Sequence, residues 1–564
     1  MTPAMPKGWM MTQQWSAGAV LRRSRWRLAS GLAVAALTCG SLAAASSASA
    51  SPRMDQDSFL RPGNLLVSGS YYDVNPDVLV PGVTVLPPGC TSGCVTATNN
   101  AAYPQVFNNV LVDPSFGITT PILLDQITPS GRLVSRTQVP DGAGPGDHAV
   151  TSFSSKSELA LNLSTDGRDV TMMGYVARPG TVDVSNANTP GVIDPTNPVT
   201  GAYYRAVVQL DRQGRFSFTE TNAYSGDNGR AAILNDTNGN RVYYMAGNAG
   251  NGSNPQPDGV ILGAGAQIAT PQDKPESAQQ PGQPAPVGSF NVTQLGDKAD
   301  KIGKDTNFRG LAVYNNVVYL TKGSGSNGVN TVYFIDTTGK ACPDGAGLPQ
   351  PRAALPTSPI AYNASLLPTD GVTPYNMCVL QGFPTTLAKS ATSFPFGVWF
   401  ANKDTLYVAD EGNGDNTYSA STGTYTGAAA QTTAGLQKWV FNGTSWNLAY
   451  TLTAGLNLGA PYTVPGYPAG DNAATGLPWA PATDGLRNIT GRVNPNGMVT
   501  IYAITSTVSG GGDQGADPNK LVAVTDSLAA ASLPAESFRT VRSARFGQVL
   551  RGVSFTPGTG IYGR

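Results

Sequence analysis

Histidine is almost absent from the sequence, which contains only His148 among 564 residues. Metal centres built from several histidines are therefore excluded, and a Ser-His-Asp triad would have to use this one residue. His148 ends a glycine-rich segment, 141–148, in which a solvated or capping histidine is expected. No Gly-x-Ser-x-Gly elbow lies between a predicted strand and a predicted helix. The sequence thus carries no signature of a catalytic centre.

Charged residues are also scarce, at 13 % of the chain, whereas glycine and proline are abundant, at 66 and 43 residues. Long charged side chains fill the exposed faces of helices, and no window after residue 50 shows the periodicity of an amphipathic helix. Many short strands joined by Gly, Pro, Asn and Asp turns are typical of such a composition. An all-β fold is therefore expected.

The first fifty residues are typical of a secretory signal. Four arginines lie within 22–27, the segment 28–42 is apolar, and Ala-Ser-Ala at 48–50 is a small-residue cleavage site. We expect cleavage after Ala50 and secretion of the remainder. Ordinary export is favoured over the twin-arginine route that Arg22-Arg23 allows, because the residues that follow fit that signal poorly.

Removal of this signal takes away five basic residues and no acidic ones, which leaves a net charge of −5. A weakly acidic surface offers no electrostatic footprint for nucleic acid, so no nucleic-acid partner is expected. The later apolar runs are too short and too interrupted to span a bilayer. The mature protein is expected to be a soluble monomer.

Four cysteines remain after signal removal, and an even number in an oxidising compartment favours disulfides. Of the three pairings, the local one is preferred, which joins Cys90 to Cys94 and Cys342 to Cys378. A zinc site is less favoured, because no second closely spaced pair completes a tetrad.

A unit of four strands recurs along the chain. Turns that end in glycine, such as Asp211-Arg212-Gln213-Gly214, join the third strand of a unit to the fourth. The second unit places its third strand at 259–262 and its fourth at 267–270 or 290–295. The first strands of the five complete units are predicted at 158–161, 230–234, 308–314, 396–400 and 486–491.

The two ends of the mature chain each offer part of a sixth unit. The segment 550–557 repeats a first strand but has no partner after it, whereas the start offers only later strands, at 65–70, 121–127 and 132–137. Pairing 550–556 with 65–70 completes the unit and removes exposed sheet edges. The sequence therefore predicts a β-propeller of six four-stranded blades closed by its terminal strands, or of seven if 338–395 contains a further sheet.

The predicted organisation is a signal peptide at 1–50, a short linker at 51–62 and one propeller domain at 63–564. Long loop insertions are expected within that domain, where the sequence is rich in turn-forming and polar residues. They cover 73–118, 247–305, 338–393 and 454–483.

Four segments also resemble a known group of proteins. They are Pro-Gly-Asn-Leu-Leu-Val at 62–67, Leu-Leu-Asp-Gln-Ile-Thr-Pro-Ser-Gly at 123–131, Thr-Leu-Tyr-Val-Ala-Asp-Glu-Gly at 405–412 with Gly-Leu-Gln-Lys-Trp at 435–439, and Leu-Arg-Gly-Val-Ser-Phe-Thr-Pro at 550–557. Together they are similar to secreted bacterial β-propeller proteins of unassigned activity. The resemblance covers most of 62–558 and implies secretion and a propeller, but no catalytic residues.

Arginine recurs at or near the start of the first strands, as Arg230, Arg309, Arg487 and Arg551. If these strands are innermost, the four side chains could ring the channel mouth and bind a carboxylate, a sulfate or a uronic acid, because a guanidinium presents a rigid fork of donors. The alternative, which the repeat favours, is that each arginine pairs with an acid or a carbonyl between blades.

Acidic loops supply candidate oxygen ligands for a metal. Asp410, Glu411 and Asp415 follow a predicted strand, and Asp236, Asn238 and Asn240 alternate along a turn. Calcium binds such oxygen ligands. Neither loop completes the EF-hand pattern, and Asn/Asp/Gly turns also occur for backbone reasons alone. Calcium is therefore the one candidate cofactor, and no cofactor is the favoured expectation.

The leading functional hypothesis is a secreted propeller that binds or scaffolds an extracellular ligand, such as a small molecule or a polysaccharide, on one face of the ring. The alternative is a carbohydrate-active hydrolase or lyase that uses Asp/Glu, Tyr and Arg at the channel mouth, since acidic residues at several loop tips could converge. The absence of a catalytic signature favours a binding protein over an enzyme.

Overall fold

The fold was analysed in a computed structural model of the chain. The described residues all belong to the unit Met54–Arg564. They are 59–72, 83, 85–86, 95–96, 118–142, 148–153, 155, 157–193, 197, 199–237, 241–248, 265–273, 307–324, 328–341, 345–357, 377–473, 475–511 and 514–560.

The described elements are almost all strands. In the first half of the chain these are β1 (Leu65–Tyr71), β2 (Val85–Leu86), β3 (Val95–Thr96), β4 (Thr119–Ile127), β5 (Leu133–Gln138), β6 (Val150–Ser152), β7 (Asn162–Leu163), β8 (Asp169–Tyr175), β9 (Arg205–Asp211), β10 (Phe216–Thr221), β11 (Gly229–Asn235), β12 (Val242–Gly247) and β13 (Ala266–Ala269). In the second half they are β14 (Phe308–Tyr314), β15 (Val317–Lys322), β16 (Thr331–Ile335), β17 (Ala346–Gly347), β18 (Met377–Leu380), β19 (Pro395–Asn402), β20 (Thr405–Asp410), β21 (Tyr418–Ser419), β22 (Thr424–Tyr425), β23 (Gly435–Phe441), β24 (Trp446–Leu452), β25 (Ala482–Val493), β26 (Met498–Val508), β27 (Lys520–Ser527), β28 (Arg539–Ser543) and β29 (Gln548–Phe555). One four-residue helix, α1 (Thr426–Ala429), and 3-10 turns at Val184–Asn186, Ala388–Ser390 and Gln514–Ala516 complete the elements.

Four separate sheets form detected blades of a propeller-like arrangement. Their strand orders are β11-β12-β13, β14-β15-β16-β18-β17, β19-β20-β23-β24 and β25-β26-β27-β28. Each begins with antiparallel neighbours in sequence order, as consecutive hairpins require. The expected all-β fold is confirmed, and among the described residues no helix is long and apolar enough to cross a membrane.

A nine-stranded sheet contains the two ends of the described chain. Its order is β10-β9-β8-β6-β4-β1-β29, with β5 on β4 and β7 on β8. The terminal strand β29 pairs antiparallel with β1, and Val553 lies opposite Val67. Along its other edge, β1 pairs antiparallel with β4, and Leu65 lies opposite Ile127. The short β6 touches β8 at a single pair, Val150 with Tyr175.

Two strand predictions are wrong in detail. The segment 158–161 precedes its strand, β7, and is not itself extended in a sheet. The segment 267–270 was predicted as the fourth strand of the second unit. The corresponding strand, β13, pairs directly with β12 and is therefore the third strand of its sheet. The rival segments 259–262 and 290–295 lie outside the described residues. The predicted fourth strand of the third unit, β18, does pair with β16.

The first strands of the sheets contact one another. Two glycines lie at these contacts, and neither position has room for a side chain. A Cβ added at Gly310 would collide with the carbonyl of Phe396, and a Cβ added at Gly552 would collide with the carbonyl of Leu159. Glycine is required there by close approach of two backbones. The contacting pairs are β7 with β11, β11 with β14, β14 with β19, β19 with β25, β25 with β29, and β29 with β7.

A fully buried ion pair joins the third strands of two neighbouring sheets. Lys438 in β23 and Asp526 in β27 are both 0 % exposed, and Nζ lies 3.3 Å from Oδ2. Lys438 also donates to the carbonyls of Ser527 and Ala530, while Asp526 accepts from the hydroxyl of Tyr450 at 2.8 Å. These hydrogen bonds compensate for removing both charges from water.

Candidate ligand-binding site

Glu411, which directly follows β20, lies between two of the four predicted arginines. Its Oε1 is 3.6 Å from Nη2 of Arg309, and its Oε2 is 3.3 Å from Nε of Arg487. The three residues are at most 9 % exposed. Burial lowers the pKa of Arg487, and the carboxylate of Glu411 opposes this shift. The carboxylate of Glu411 therefore forms ion pairs with two arginines, one from β14 and one from β25.

Arg230 in β11 lies beside this group. Its Nε donates to Oδ1 of Asn228 at 2.9 Å, and its Nη1 donates to the Phe308 carbonyl at 3.2 Å. Burial lowers the pKa of Arg230 to about 10, and the positive charge of Arg309 adds to the effect. The structure thus brings Arg230 and Arg309 together at one end of their strands.

The fourth arginine, Arg551 in β29, has a different environment. Its Nε donates to Oγ of Ser70 at 3.3 Å, and its Nη2 donates to the carbonyl of Phe153. Ser70 is in β1, so Arg551 supports the pairing of the terminal strands. All four predicted arginines donate within the chain, as the alternative of pairing between blades expects. Ligand binding by them stays a prediction.

The three predicted calcium ligands are not brought together on one ion site. Asp410 accepts hydrogen bonds from Ser393 Oγ at 2.7 Å and the Phe394 amide at 2.8 Å, and burial raises its pKa to about 6. Asp415 instead accepts from Thr417. Within the described ranges, no group of three His, Cys, Asp or Glu could hold a metal. Calcium binding stays a prediction, and Asn238 and Asn240 lie outside the described residues.

The described residues include one of the four cysteines in the predicted disulfides. Cys378 is 0 % exposed in β18. Cys90, Cys94 and Cys342 lie outside the described residues, so the pairing stays a prediction. His148 was expected to be solvated or to cap a turn; the first alternative is wrong, because the residue is buried, at 8 % exposed, and the capping role stays a prediction.

Asp484 is a buried acid that the sequence did not single out. It is 2 % exposed and accepts hydrogen bonds from the Gly414 amide at 2.9 Å and from Nε2 of Gln431. Burial raises its pKa to about 7, with a smaller contribution from Glu411. Its partners lie 70 and 53 residues earlier in the chain, and no local motif marks them.

The raised pKa of Asp484 predicts a pH-dependent stability. The folded chain binds this proton more tightly than the unfolded chain, so the unfolding free energy increases as pH falls from about 8 towards 5. Asp410 contributes in the same direction below pH of about 6. The increase is expected to be on the order of 1–4 kcal/mol. Urea unfolding at a series of pH values measures it.

The control for this prediction is a matched pair of variants. Asp484→Asn is expected to flatten the pH dependence between 5 and 8, because the titrating group is gone. Asp404→Asn changes an exposed acid, with 45 % of its side chain accessible, and is expected to leave the dependence as it is. An unchanged slope in Asp484→Asn would contradict the assignment.

An inner cavity of about 110 Å³ lies among the first strands of the sheets. Residues 311–314 of β14 and 489–492 of β25 line it, whereas Arg309 and Arg487, which bind Glu411, lie earlier in the same two strands. Its walls are mostly apolar and aromatic, and Tyr314 and Phe400 stack there with ring centroids 4.6 Å apart. The lining residues are 161–163, Ile233, 311–314, 398–400, 489–492, 554–555, Thr559 and Gly560.

A larger mouth pocket of about 720 Å³ shares Arg492, Thr559 and Gly560 with the inner cavity. This volume lies in the usual range for small-ligand sites, roughly 300–1,000 Å³. The side chain of Arg492 is exposed there. The mouth pocket is lined by Pro62, Gly63, Ala401, Asn402, 492–495, Leu528, Thr559 and Gly560.

Trp399 is the most prominent aromatic residue in the wall of the inner cavity. It is only partly buried, and its indole lies against the backbone of Gly491, where an added Cβ would be 2.8 Å from Cε3. Gly491 and Arg492 adjoin in β25, so one strand places both the support of the indole and a cationic group. No repeat pattern marked Trp399, because it occupies an ordinary apolar position of a strand.

The fold and the site define an all-β protein with a propeller-like arrangement and an open pocket at one end of its first strands. No protein-family model matches the chain, and no curated protein matches it either.

Similarities to solved structures are weak. An acylaminoacyl peptidase bound to a chloromethyl ketone is 7 % identical over 78 % of this chain and 50 % of its own, with a TM-score of 0.24. A Dyadobacter fermentans protein of unknown function is 10 % identical over 70 % and 94 %, with a TM-score of 0.26. An exo-β-1,3-galactanase from Clostridium thermocellum is 10 % identical over 82 % and 90 %, with a TM-score of 0.24. We draw no functional conclusion from them.

Proposed function

We propose that this chain is an exported β-propeller that binds a carbohydrate in the mouth pocket and does not hydrolyse it. The proposal has three parts: six blades closed by β1 and β29, export directed by residues 1–50, and ligand binding near Arg492 and Trp399. Each part has its own support.

The strand pairing supports six blades. The nine-stranded sheet divides into the groups β29-β1-β4-β5 and β7-β8-β9-β10, which are linked only through β6. Each group has four strands, like the sheets that begin with β19 and β25. Arg542 in β28 also joins neighbouring groups, since it donates at 2.6 Å to Asp125 in β4, which accepts in addition from Arg136 of its own group.

Export is supported by the sequence of residues 1–50 alone. Its basic segment, apolar run and small-residue cleavage site are the three parts of a secretory signal. Mass spectrometry of the secreted product tests this part, with an N-terminus at Ser51 as the expected result. Retention of residues 1–50 in a secreted product would contradict it.

Ligand binding is carried by one observation. The end of the strands near Glu411 is filled by the chain's own buried arginines, whereas the opposite end opens into the mouth pocket. Pockets for small ligands combine apolar walls with a few polar groups. In the mouth pocket, Arg492, Asn494 and Thr559 offer polar groups. The indole of Trp399 lies in the wall of the adjoining inner cavity, where it offers a flat surface to the C–H face of a sugar ring that reaches in from the mouth pocket.

The lining also favours binding over hydrolysis. Glycoside hydrolysis uses two carboxyl groups that flank the scissile bond, roughly 5–10 Å apart. None of the described residues that line the inner cavity or the mouth pocket is Asp or Glu. The alternative of a hydrolase or lyase therefore has less support at this site.

Calorimetric titration with neutral hexasaccharides of glucose, xylose, mannose and galactose tests the proposal, with a reducing-end assay on the same samples. Binding of at least one probe without release of reducing ends is expected. Turnover of any probe would favour the hydrolase instead. Absence of binding to every neutral probe, and to acidic hexamers as well, would overturn the carbohydrate ligand.

Two variants locate the bound sugar. Gly491→Ala places a methyl group against the indole of Trp399, and Arg492→Gln removes the exposed cation. We expect Gly491→Ala to weaken binding by about tenfold, because stacking of a ring contributes about 1 kcal/mol or more. Gly142→Ala is the glycine control, because an added Cβ there meets nothing within 4 Å and the residue has no positive φ. Equal affinities of Gly491→Ala and wild type would exclude this site.

A further inference from the structure

A second pocket, which we call the arginine pocket, lies beside the mouth pocket. Its volume is about 790 Å³, and it is formed where β8, β9, β10 and β12 begin or end. Four cationic side chains line it, together with the acids Asp169 and Asp211. The four cations are Arg168, Arg212, Arg215 and Arg241.

Two of these arginines form ion pairs and are nonetheless largely exposed. Arg168 lies 3.5 Å from Asp166 with 81 % of its side chain accessible, and Arg215 lies 2.7 Å from Asp211 with 76 % accessible. The acids themselves are only 19 % and 21 % accessible. A ligand carboxylate or sulfate can bind the accessible nitrogens of either guanidinium without displacing its acid, since a guanidinium presents several donors to such anions.

The other charged groups leave the pocket cationic. Nη2 of Arg241 donates to Oε1 of Gln209 at 3.4 Å, and the Arg212 guanidinium lies 4.8 Å from the ring of Phe59. Neither contact neutralises the positive charge of its arginine, because Gln209 and Phe59 are uncharged. Burial raises the pKa of Asp169, and the neighbouring acids Asp166 and Asp211 add to this shift. The four arginines outnumber the two acids of the lining, Asp169 and Asp211.

The arginine pocket and the mouth pocket share a rim. Gly558 lines the first, and the next two residues, Thr559 and Gly560, line the second. A Cβ at Gly558 would lie 3.3 Å from Cδ of Arg212 and 3.4 Å from Cγ of Pro62, which lines the mouth pocket. An extended ligand in the mouth pocket therefore passes the arginines once it crosses this rim.

From this arrangement we infer that the ligand is an acidic oligosaccharide, whose sugar rings occupy the mouth pocket and whose carboxylate or sulfate groups bind the arginine pocket. The inference rests on the proposed function, because it names the class of carbohydrate. It favours a sugar over a nucleic acid, since the whole chain has no net positive charge and the arginines form one concave pocket instead of an extended strip.

The experiment compares four probes on wild type and on two variants. Three of them, a galacturonic acid hexamer, a heparin hexasaccharide and a neutral galactose hexamer, separate carboxylate, sulfate and uncharged sugars. The fourth, single-stranded dT12, tests nucleic acid. The variants are the double substitution Arg168→Gln/Arg215→Gln and the control Arg352→Gln, which changes an exposed arginine outside every described pocket. Thermal unfolding checks that each variant is folded.

Wild type is expected to bind at least one acidic probe ten times more tightly than the neutral probe, and less tightly as salt increases. The double variant is expected to lose this preference while its affinity for the neutral hexamer stays within twofold. Arg352→Gln should match wild type. An intact acidic preference in the double variant would overturn the inference, as would equal or tighter binding of single-stranded dT12.

Failure of the proposed function looks different. If no hexamer binds wild type, charged or neutral, the carbohydrate ligand itself is excluded. If hexamers bind and respond to Gly491→Ala but not to Arg168→Gln/Arg215→Gln, the mouth pocket remains the site and only the acidic class is wrong.

Discussion

Ending the chain at Gly547, which removes β29, is expected to abolish cooperative unfolding. β29 pairs with β1, and its loss would expose Leu65 and Val67, which are 0 % and 1 % exposed. It would also remove the groups that bond to Asn519, whose side chain donates to the Leu550 carbonyl at 2.9 Å. Differential scanning calorimetry should show no sharp transition where the full chain shows one.

A single substitution tests the same strand without a truncation. Val553→Asp places a charge at a position that is 0 % exposed, between β1 and the neighbouring β25. Its free energy of unfolding is expected to fall by about 4 kcal/mol or more, because a buried charge without a partner is among the most costly changes. Leu533→Asp, at a position that is 63 % exposed, is the control and should change it by less than about 0.5 kcal/mol. Similar values for the two variants would show that β29 contributes little.

Replacement of Lys438 by Met is expected to lower the free energy of unfolding by about 3–5 kcal/mol. The substitution keeps the volume of the side chain but leaves the carboxylate of Asp526 buried without its cation. The hydroxyls of Tyr407 and Tyr450 still donate to Asp526, at 2.5 and 2.8 Å, and limit the loss. Urea unfolding monitored by far-ultraviolet circular dichroism measures the difference.

The matched control is Lys403→Met. Lys403 lies 2.6 Å from Asp404, but 79 % of its side chain is accessible, so the pair is exposed to water. Such pairs contribute roughly 0–1 kcal/mol. The double variant Lys438→Met/Asp526→Leu should recover part of the loss, because it removes both buried charges. A small effect of Lys438→Met, equal to that of Lys403→Met, would contradict the importance of burial.

The sequence predicted the strands well where the turns are short. The hairpin of β9 and β10 follows directly from the turn at Asp211, where the Gly214 amide donates to the Asp211 carbonyl and Gly214 has a φ of 79°. Local turn chemistry of this kind is visible in the sequence. After a long loop no such turn indicates the strand order, which is why β13 was predicted as the fourth strand of its sheet instead of the third.

The candidate site depends on contacts that no local pattern contains. The recurrence of Arg309 and Arg487 was apparent, but their common partner, Glu411, was predicted as a calcium ligand because only its neighbours in sequence were visible. Trp399 and Arg492 come from different strands and become neighbours only through the packing of β19 against β25. Sequence periodicity gives the strands, whereas the partners across sheets are set by the tertiary structure.

The arginines in the arginine pocket illustrate the same limit. Arg212 and Arg215 belong to a hairpin turn and its flank, where polar residues are ordinary, and Arg241 directly precedes β12. The sequence gives no reason to group them. The buried arginines at the strand starts attracted attention because they repeat, yet the exposed ones are better placed to meet a ligand.

The proposed closure of the propeller by its terminal strands is tested most directly by a disulfide between them. Tyr71 and Gln548 are paired residues of β1 and β29. Tyr71 is 42 % exposed, and Gln548 is 5 % exposed but is replaced by a smaller side chain, so a Tyr71→Cys/Gln548→Cys variant should fold. Under mild oxidation, mass spectrometry of a non-reduced digest should find one cross-linked peptide that contains residues 71 and 548. The control Tyr71→Cys/Leu533→Cys should give none. A folded variant without the 71–548 cross-link would contradict the closure.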